Sequence, residues 1–496
     1  MDISLKKPPR RRRKRAIFVI LLMMALVLTS IGWYHTNKQL PEGLTYESAW
    51  HPATDVEFLY NLSYPAQEEQ GFEEQIYESW YEVIAEAEQW IVLDMFLYNG
   101  YVNEEGGFPS LSRDLTDRII SQMDRHPELK VIIISDEINS TYGSHEAEEL
   151  ERLRARGAQV VISDTDALRD SNPIYSSFWR AGIQWFGQSG KGWLPNALAD
   201  TAPKVTARSY LKLLNVKANH RKVLLTENTG IVTSANAHDA SYYNSNIAIR
   251  FSGDVLADAL EAELAVIRYS GGPEPHLPLS SEPQPAQTSD DADAQPPEGE
   301  TSLRWLTEGA ILQRTLDMIE EAASGEQLWM GMFYLADREI IQAVLDAADR
   351  GVDVRLILDP NENAFGQQKI GLPNRPVAAE LLSRSEEAIQ LRWYNTVEEQ
   401  FHTKLLLVVG QEHSELIAGS ANFTRRNLDD LNLEANIQVH APTASPVMQS
   451  AVTYFERLWM NQDAEFTLPY SAYADELPWI KQTMYGIQKL LRFTTY

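Results

Sequence analysis

The sequence predicts an α/β protein built from two similar sandwich halves and carried on one N-terminal transmembrane helix. Three observations predict it. A helix–strand–helix–strand order occurs twice, a Pro-rich acidic stretch separates the two occurrences, and an uncharged apolar run follows a basic start.

The apolar run comes first in the chain. Ala16 to Tyr34 is about 19 residues without a charge, close to what a helix needs to cross the hydrocarbon core of a bilayer. Trp33 and Tyr34 fall where an interfacial aromatic belt belongs, and no small-residue cleavage site follows, so the segment reads as an uncleaved anchor. Residues 1–15 hold eight basic residues against Asp2. This tail is net +7 and is expected in the cytoplasm, with residues from about 35 onward outside.

Gly271 to Ser302 is dense in Pro, Ser, Asp and Glu and poor in large apolar residues. It predicts a solvated, semi-stiff spacer between two folded units. In the second unit, the periodicity predicts helices over 313–323 and 338–350 and strands over 328–334 and 351–358. In the first, it predicts helices over 78–89 and 115–125 and strands over 90–97 and 129–134. "MFLY" and "MFYL" sit at matching places. Near-continuous apolar strands alternating with helices predict buried, largely parallel sheets. The expected organisation is tail 1–15, anchor 16–34, first half 35–270, linker 271–302, second half 303–465 and a helical tail 466–496. In that tail, Trp479, Ile480, Met484, Ile487 and Leu491 share one helical face. Residues 164–214 have no counterpart in the second half. Their Trp179, Trp185, Phe186 and Trp193 suit an aromatic cluster under a loop or an apolar wall for a lipid chain.

With the tail at +7 and the whole chain at −27, the remaining 481 residues carry −34. Such a body repels nucleic acid, so a nonspecific nuclease is disfavoured. The absence of cysteine excludes disulfides, thiolate metal sites and cysteine nucleophiles. No cluster with metal-ligand spacing appears in the sequence, and neither a metal nor another cofactor is expected.

The chemistry lies in a repeated motif. His220-Arg-Lys222 is followed by Ser234-Ala-Asn236, and His402-Thr-Lys404 by Ser420-Ala-Asn422, one set per half. Of ten histidines only these two have Lys two positions on. On a strand, residues i and i+2 share a face, so each His and Lys would point into one site. Two facing halves then supply two imidazoles, two ammoniums and two amides around one volume, a set that suits a phosphodiester. One imidazole attacks phosphorus and the other protonates the departing alcohol. Lys222, Lys404, Asn236 and Asn422, with the Ser234 and Ser420 hydroxyls beside them, are the candidate phosphate binders.

These residues resemble the phospholipase D superfamily, whose mark is a duplicated H-x-K-x4-D with a G-S-x-N-like turn. The second half, "FHTKLLLVVG … AGSANFTRRNLDDLNLEANIQV", is the closer match. The resemblance implies two α/β domains with the site at their interface, and so a monomer sufficient to build it. It implies His220 as nucleophile, His402 as general acid and Glu434 as a carboxylate that orients a histidine. Asp239, Asn244 and Asn246 are its candidate counterparts in the first half. The motif Asp is Glu227 in the first half and Val409 in the second, the latter without a carboxylate. The expected function is a membrane-anchored, phospholipid-cleaving phosphodiesterase working through a phosphohistidine. The alternatives are a cardiolipin-synthase-like phosphatidyltransferase or an inactive binding protein.

Overall fold

A computed structural model describes residues 10–66, 70–103, 107–188, 190–278, 296–297, 299–364, 367–368 and 371–473. The expected amphipathic helix around residues 479–491 lies outside them. Helix α1 (Arg10–Asn37) contains the apolar run, and from Arg13 on it is long and apolar enough to cross a membrane.

The first half contains β1 (Val56–Pro65), α2 (Ile76–Glu86), α3 (Leu111–Arg125), α4 (Glu148–Arg156), α5 (Pro173–Ala181), α6 (Ala207–Leu213) and α7 (Val255–Tyr269). Its remaining strands are β2 (Gln70–Glu73), β3 (Trp90–Met95), β4 (Lys130–Ser135), β5 (Gln159–Ile162), β6 (Lys222–Thr226), β7 (Gly230–Thr233) and β8 (Asn246–Phe251). They form one sheet in the order β2-β1-β8-β7-β6-β3-β4-β5. The second half contains β9 (Ser302–Thr307), α8 (Gly309–Glu321), β10 (Gln327–Met332), α9 (Arg338–Asp349), β11 (Asp353–Leu358), α10 (Asn374–Arg384), β12 (Gln390–Tyr394) and β13 (Lys404–Val409). It ends with β14 (His413–Gly419), α11 (Arg425–Leu428), β15 (Ala435–Pro442), α12 (Pro446–Met460) and β16 (Thr467–Pro469). Its order, β9-β15-β14-β13-β10-β11-β12-β16, repeats the first half strand for strand from β1 to β5. The chain is a tandem duplication of one topology.

Local sequence explains the elements. Every residue of β3 is buried, as a central strand covered on both faces requires. In α3, Leu111, Leu115, Ile119 and Gln122 recur at helical spacing and form the buried face. Helix α4 stops at Gly157, whose φ of 108° needs a residue without Cβ. Helix α9 starts where the Asp337 carboxylate accepts the Glu339 and Ile340 amides.

The largely parallel sheet is corrected. Only β3-β4-β5 and β10-β11-β12 run parallel, each step joined by a helical crossover; the remaining neighbours are antiparallel. The motif strands β6 and β13 insert antiparallel beside β3 and β10. Each shows two faces. Val223, Leu225, Leu405 and Leu407 fill one continuous core shared by both halves, while Leu224 and Leu406 pack under the outer helices. Truncating any of the shared-core leucines to Ala should cost about 2–5 kcal/mol.

The boundaries between units are less clean than composition suggests. His51–Pro52 pairs with β9, so the start of the first half completes the second sheet. The first residues of the linker pack rather than float: Leu277 is buried, and the Pro278 carbonyl accepts the Trp90 indole N–H at 2.9 Å. Strand β16 pairs with β12, which extends the second half past residue 465.

Candidate active site

Both motif strands begin at the lysine, not at the histidine, so the shared-face argument from strand geometry does not apply as expected. The histidine lies just before the strand, and a direct bond holds the pair together. Lys222 Nζ donates to the His220 carbonyl at 2.7 Å, and Lys404 Nζ to the His402 carbonyl at 2.6 Å.

Each histidine is seated by the opposite half. The His220 amide donates to the Leu433 carbonyl, and the His402 amide to the Ser245 carbonyl. His220 Nδ1 lies 3.0 Å from Glu434 of the second half; His402 Nδ1 lies 3.1 Å from Asn246 Oδ1 of the first. Asn246 is oriented by its own amide, whose Nδ2 donates to the Asn244 carbonyl, so Oδ1 faces the imidazole as an acceptor. Of the three first-half candidates for the counterpart of Glu434, Asn246 stands against a histidine. Asp239 instead caps the start of α3 by accepting the Ser112 amide, and Asn244 Oδ1 accepts the Gln400 amide.

The two serines act one step back. Ser234 Oγ donates to Asn246 Oδ1, and Ser420 Oγ to Glu434; each also receives a backbone amide, from Ile247 and Ala435. Their hydroxyls are thereby committed to the groups that hold the imidazoles, not offered to a phosphate. Among the described residues, Asn236 Oδ1 receives only a long bond (3.4 Å) from the Leu97 amide. Asn422 Oδ1 is buried without a partner among the described residues.

A phenylalanine just past the strand beside each motif tilts against each ring: Phe96 on His220 at 4.8 Å and Phe333 on His402 at 5.0 Å. The lysine ammoniums lie over the same two phenylalanine rings. Burial pushes His220 down to about 4 although Glu434 opposes it, and drives His402 well below its ordinary value, with Lys404 and Lys222 adding to the effect. Both rings are therefore neutral at pH 7 in the free protein. Burial also lowers Lys222 to about 7 and Lys404 far below its ordinary range. Glu434 overcomes its own burial through His220 and Lys222 and sits at about 2. The site gathers two imidazoles and two lysines around one fixed carboxylate.

Residues 315–459 match the family described as "Cardiolipin synthase, PLD-like domain". That stretch of the second half is a phospholipase D-like domain. No curated protein matches it. Among solved structures, it resembles phosphatidylserine synthase from Haemophilus influenzae at TM-score 0.54 and 12% identity, covering 94% of this chain and 98% of that one. Nuc, a phospholipase D family member from Salmonella typhimurium, is 22% identical over 32% of this chain and 95% of its own, at TM-score 0.26. At such identities the likeness to phosphatidylserine synthase concerns the fold.

The phospholipase D motif acids lie away from the imidazoles. Glu227 follows the far end of β6, where its carboxylate accepts the Glu88, Gln89 and Trp90 amides and closes the turn into β3. Val409 ends β13, five residues or roughly 17 Å of strand from Lys404. There Glu326 accepts the Ala323 amide of the corresponding turn. Val409 thus removes a turn acceptor and not a reacting group.

Several site residues escaped sequence reasoning. Asp136 and Asp359 directly follow the corresponding strands β4 and β11 and are buried at matching places. Their carboxylates accept the amides of Asn219 and Phe401, each the residue just before a motif histidine, both at 2.7 Å. The matching "SDE" and "LDP" at the ends of two repeat strands were the available signal. Arg221, the variable residue of the first H-x-K, is fully buried; its Nη2 donates to both carboxylate oxygens of Glu308 in the second half at 2.8 and 3.0 Å, and its Nη1 to Glu263 at 3.2 Å. Arg426 lies in electrostatic reach of Glu434, Tyr334 and Tyr142, and its Nε is buried without a partner among the described residues.

Proposed function

We propose that this protein transfers or hydrolyses the phosphatidyl group of a membrane phospholipid through a covalent phosphohistidine at His220. The observation that carries this reading is the crosswise grip on two neutral imidazoles, a carboxylate on one and an amide on the other. With Nδ1–H of His220 directed at Glu434, its Nε2 lone pair is free to attack phosphorus. The N–P bond forms as the bond from phosphorus to the headgroup oxygen breaks. His402, protonated once the anionic phosphodiester has entered, gives its Nε2 proton to that oxygen. Water or a second alcohol then attacks phosphorus, losing its proton to His402, and His220 is released.

The unequal partners supply an order for the two histidines. A carboxylate strengthens a nucleophilic imidazole and stabilises the cationic N-phosphoryl ring that it becomes. A neutral amide leaves His402 the stronger acid when protonated, as a proton donor to an alkoxide should be. Lys222, Lys404, Asn236 and Asn422 face the developing charge on the non-bridging oxygens. The apolar helix α1 would hold the body at a bilayer, basic tail inside and catalytic halves outside.

The acceptor divides the reading in two. Water makes the protein a phospholipase D-type phosphodiesterase; an alcohol makes it a phosphatidyltransferase, which the match to the cardiolipin synthase description favours. Incubation of the full chain in nanodiscs with phosphatidylglycerol separates them. Phosphatidic acid with glycerol marks hydrolysis, cardiolipin with glycerol marks transfer. No product and no alkali-stable labelled protein from radiolabelled phosphatidylglycerol, phosphatidylethanolamine or phosphatidylcholine would rule out both.

A further inference from the structure

The segment without a counterpart in the second half carries an apolar surface beside the membrane helix. Of its aromatic residues only Trp179 is buried. Ile174 and Phe178 on α5, with Trp185, Phe186 and Trp193 beyond it, are 71, 52, 76, 72 and 66% exposed. Isolated exposed apolar residues are ordinary, but five large ones within 20 positions are a concentration of the kind that marks an interaction surface.

Helix α1 packs directly on α5. A Cβ at Gly32 would sit 2.6 Å from Ser177 Oγ and 3.4 Å from the Pro173 carbonyl, so the two helices touch backbone to backbone. The contact is locked below by Asp170 N–H donating to the His35 carbonyl, Arg169 Nε to the Lys38 carbonyl and Lys38 Nζ to the Asp166 carbonyl. Gly32 belongs to the apolar run, next to Trp33 and Tyr34, which are themselves 71 and 59% exposed. α5 therefore stands at the level where α1 leaves the bilayer. Its charge fits that position: Arg180 and Lys212 are paired with Asp170 and Glu137, which leaves residues 173–213 with Lys191, Lys204 and Arg208 against Asp200, within a body of net −34. An anionic lipid surface attracts such a segment while repelling the rest.

The platform is joined rigidly to the site. Asp170 binds Arg180 of α5 and Lys217 at 2.7 Å each, and Lys217 stands three residues before His220. Arg169 reaches across to Asp430 of the second half at 2.9 Å.

We infer that residues 174–188 and 190–193 are a membrane-docking platform: Ile174, Phe178, Trp185, Phe186 and Trp193 sit in the lipid interface beside α1 and fix the orientation of the catalytic site to the bilayer. The inference rests on α1 spanning the membrane. A helix alone would leave the body free to tilt on a tether; the α1–α5 contact makes the body and its anchor one object.

The chain lacks cysteine, so single-cysteine spin labels report unambiguously. Full-length Phe178→Cys, Trp185→Cys and Trp193→Cys variants are labelled in nanodiscs containing anionic lipid, with Leu22→Cys marking the anchor and Ser383→Cys on α10 marking water. The result expected at 178, 185 and 193 is relaxation by oxygen exceeding that by a water-soluble nickel chelate, as at position 22 and opposite to position 383. Preferential relaxation by nickel at these positions, with position 22 in lipid, overturns the platform and leaves the anchor intact. Shielding from both reagents means that protein covers the patch, in a second copy or a partner, and also overturns it. Nickel access at position 22 itself removes the anchor reading. All three positions are exposed, so the substitutions leave the core untouched. Quenching of the unmodified chain by brominated lipid, reduced in Trp185→Phe/Trp193→Phe, gives the same answer without labels.

Discussion

The two half-sites share strand order, a lysine bonded to the preceding histidine carbonyl, a phenylalanine under each ring and an aspartate holding the amide just before each histidine. They differ in the group facing Nδ1, Glu434 for His220 and Asn246 for His402, and in the residue between His and Lys, Arg221 or Thr403. A duplicated scaffold places two equivalent imidazoles, and one charge then makes them unequal. On this account the division of labour between nucleophile and acid lies in the partners rather than in the histidines.

The largest effect expected is from His220→Ala, which should remove the labelled covalent intermediate and lower turnover by on the order of 10⁶-fold, as for other lost nucleophiles. His402→Ala should cost roughly 10²–10⁴-fold with a natural alcohol leaving group. Next comes the asymmetry itself. Glu434→Gln keeps the shape of the site but removes its carboxylate, and kcat/KM should fall on the order of 10²–10⁴-fold.

The pH profile of that variant sharpens the comparison. In the native protein kcat/KM should rise as His220 loses its proton near pH 4 and fall as the acid His402 and then Lys222, near pH 7, lose theirs. Glu434 raises His220 and Lys222, so Glu434→Gln should move the acid limb and the Lys222 part of the alkaline limb to lower pH. An unmoved alkaline limb would detach Lys222 from the profile.

Arg221→Ala tests the other difference. It strands Glu308 and Glu263 in the shared core and should destabilise the fold by about 3–5 kcal/mol in denaturant melts. Thr403→Ala, its counterpart, gives up one hydroxyl contact with Tyr454 and should cost about 1 kcal/mol. The smallest effects belong to the motif acids. Val409→Asp should leave kcat unchanged, and Glu227→Ala should lower stability by about 1–3 kcal/mol without changing kcat, since it frees three turn amides far from the imidazoles.

Much of this was legible in the sequence, because apolar periodicity and a repeated H-x-K with S-A-N are local signals. The duplication, the strand–helix order and the motif residues could be read directly. What could not be read depends on which chain segments meet across the interface. Glu434 was picked out from a resemblance, but nothing in the spacing says that it serves the histidine of the other half, or that an asparagine is its counterpart. The antiparallel insertion of β6 and β13 is likewise invisible, since a fully buried strand reads the same in either direction. Ser234 and Ser420 looked like phosphate donors until their hydroxyls were seen to hold Asn246 and Glu434.

The assignment of His220 and His402 to different steps is tested most directly with a lipid whose leaving group needs no proton. With phosphatidyl-p-nitrophenol, p-nitrophenolate departs unaided, so His402→Ala should release nearly as much in the first turnover as the native protein and accumulate label on His220. His220→Ala should release none. A first-turnover burst from His220→Ala, with none from His402→Ala, would reverse the roles and contradict the claim that the Glu434 carboxylate marks the nucleophile.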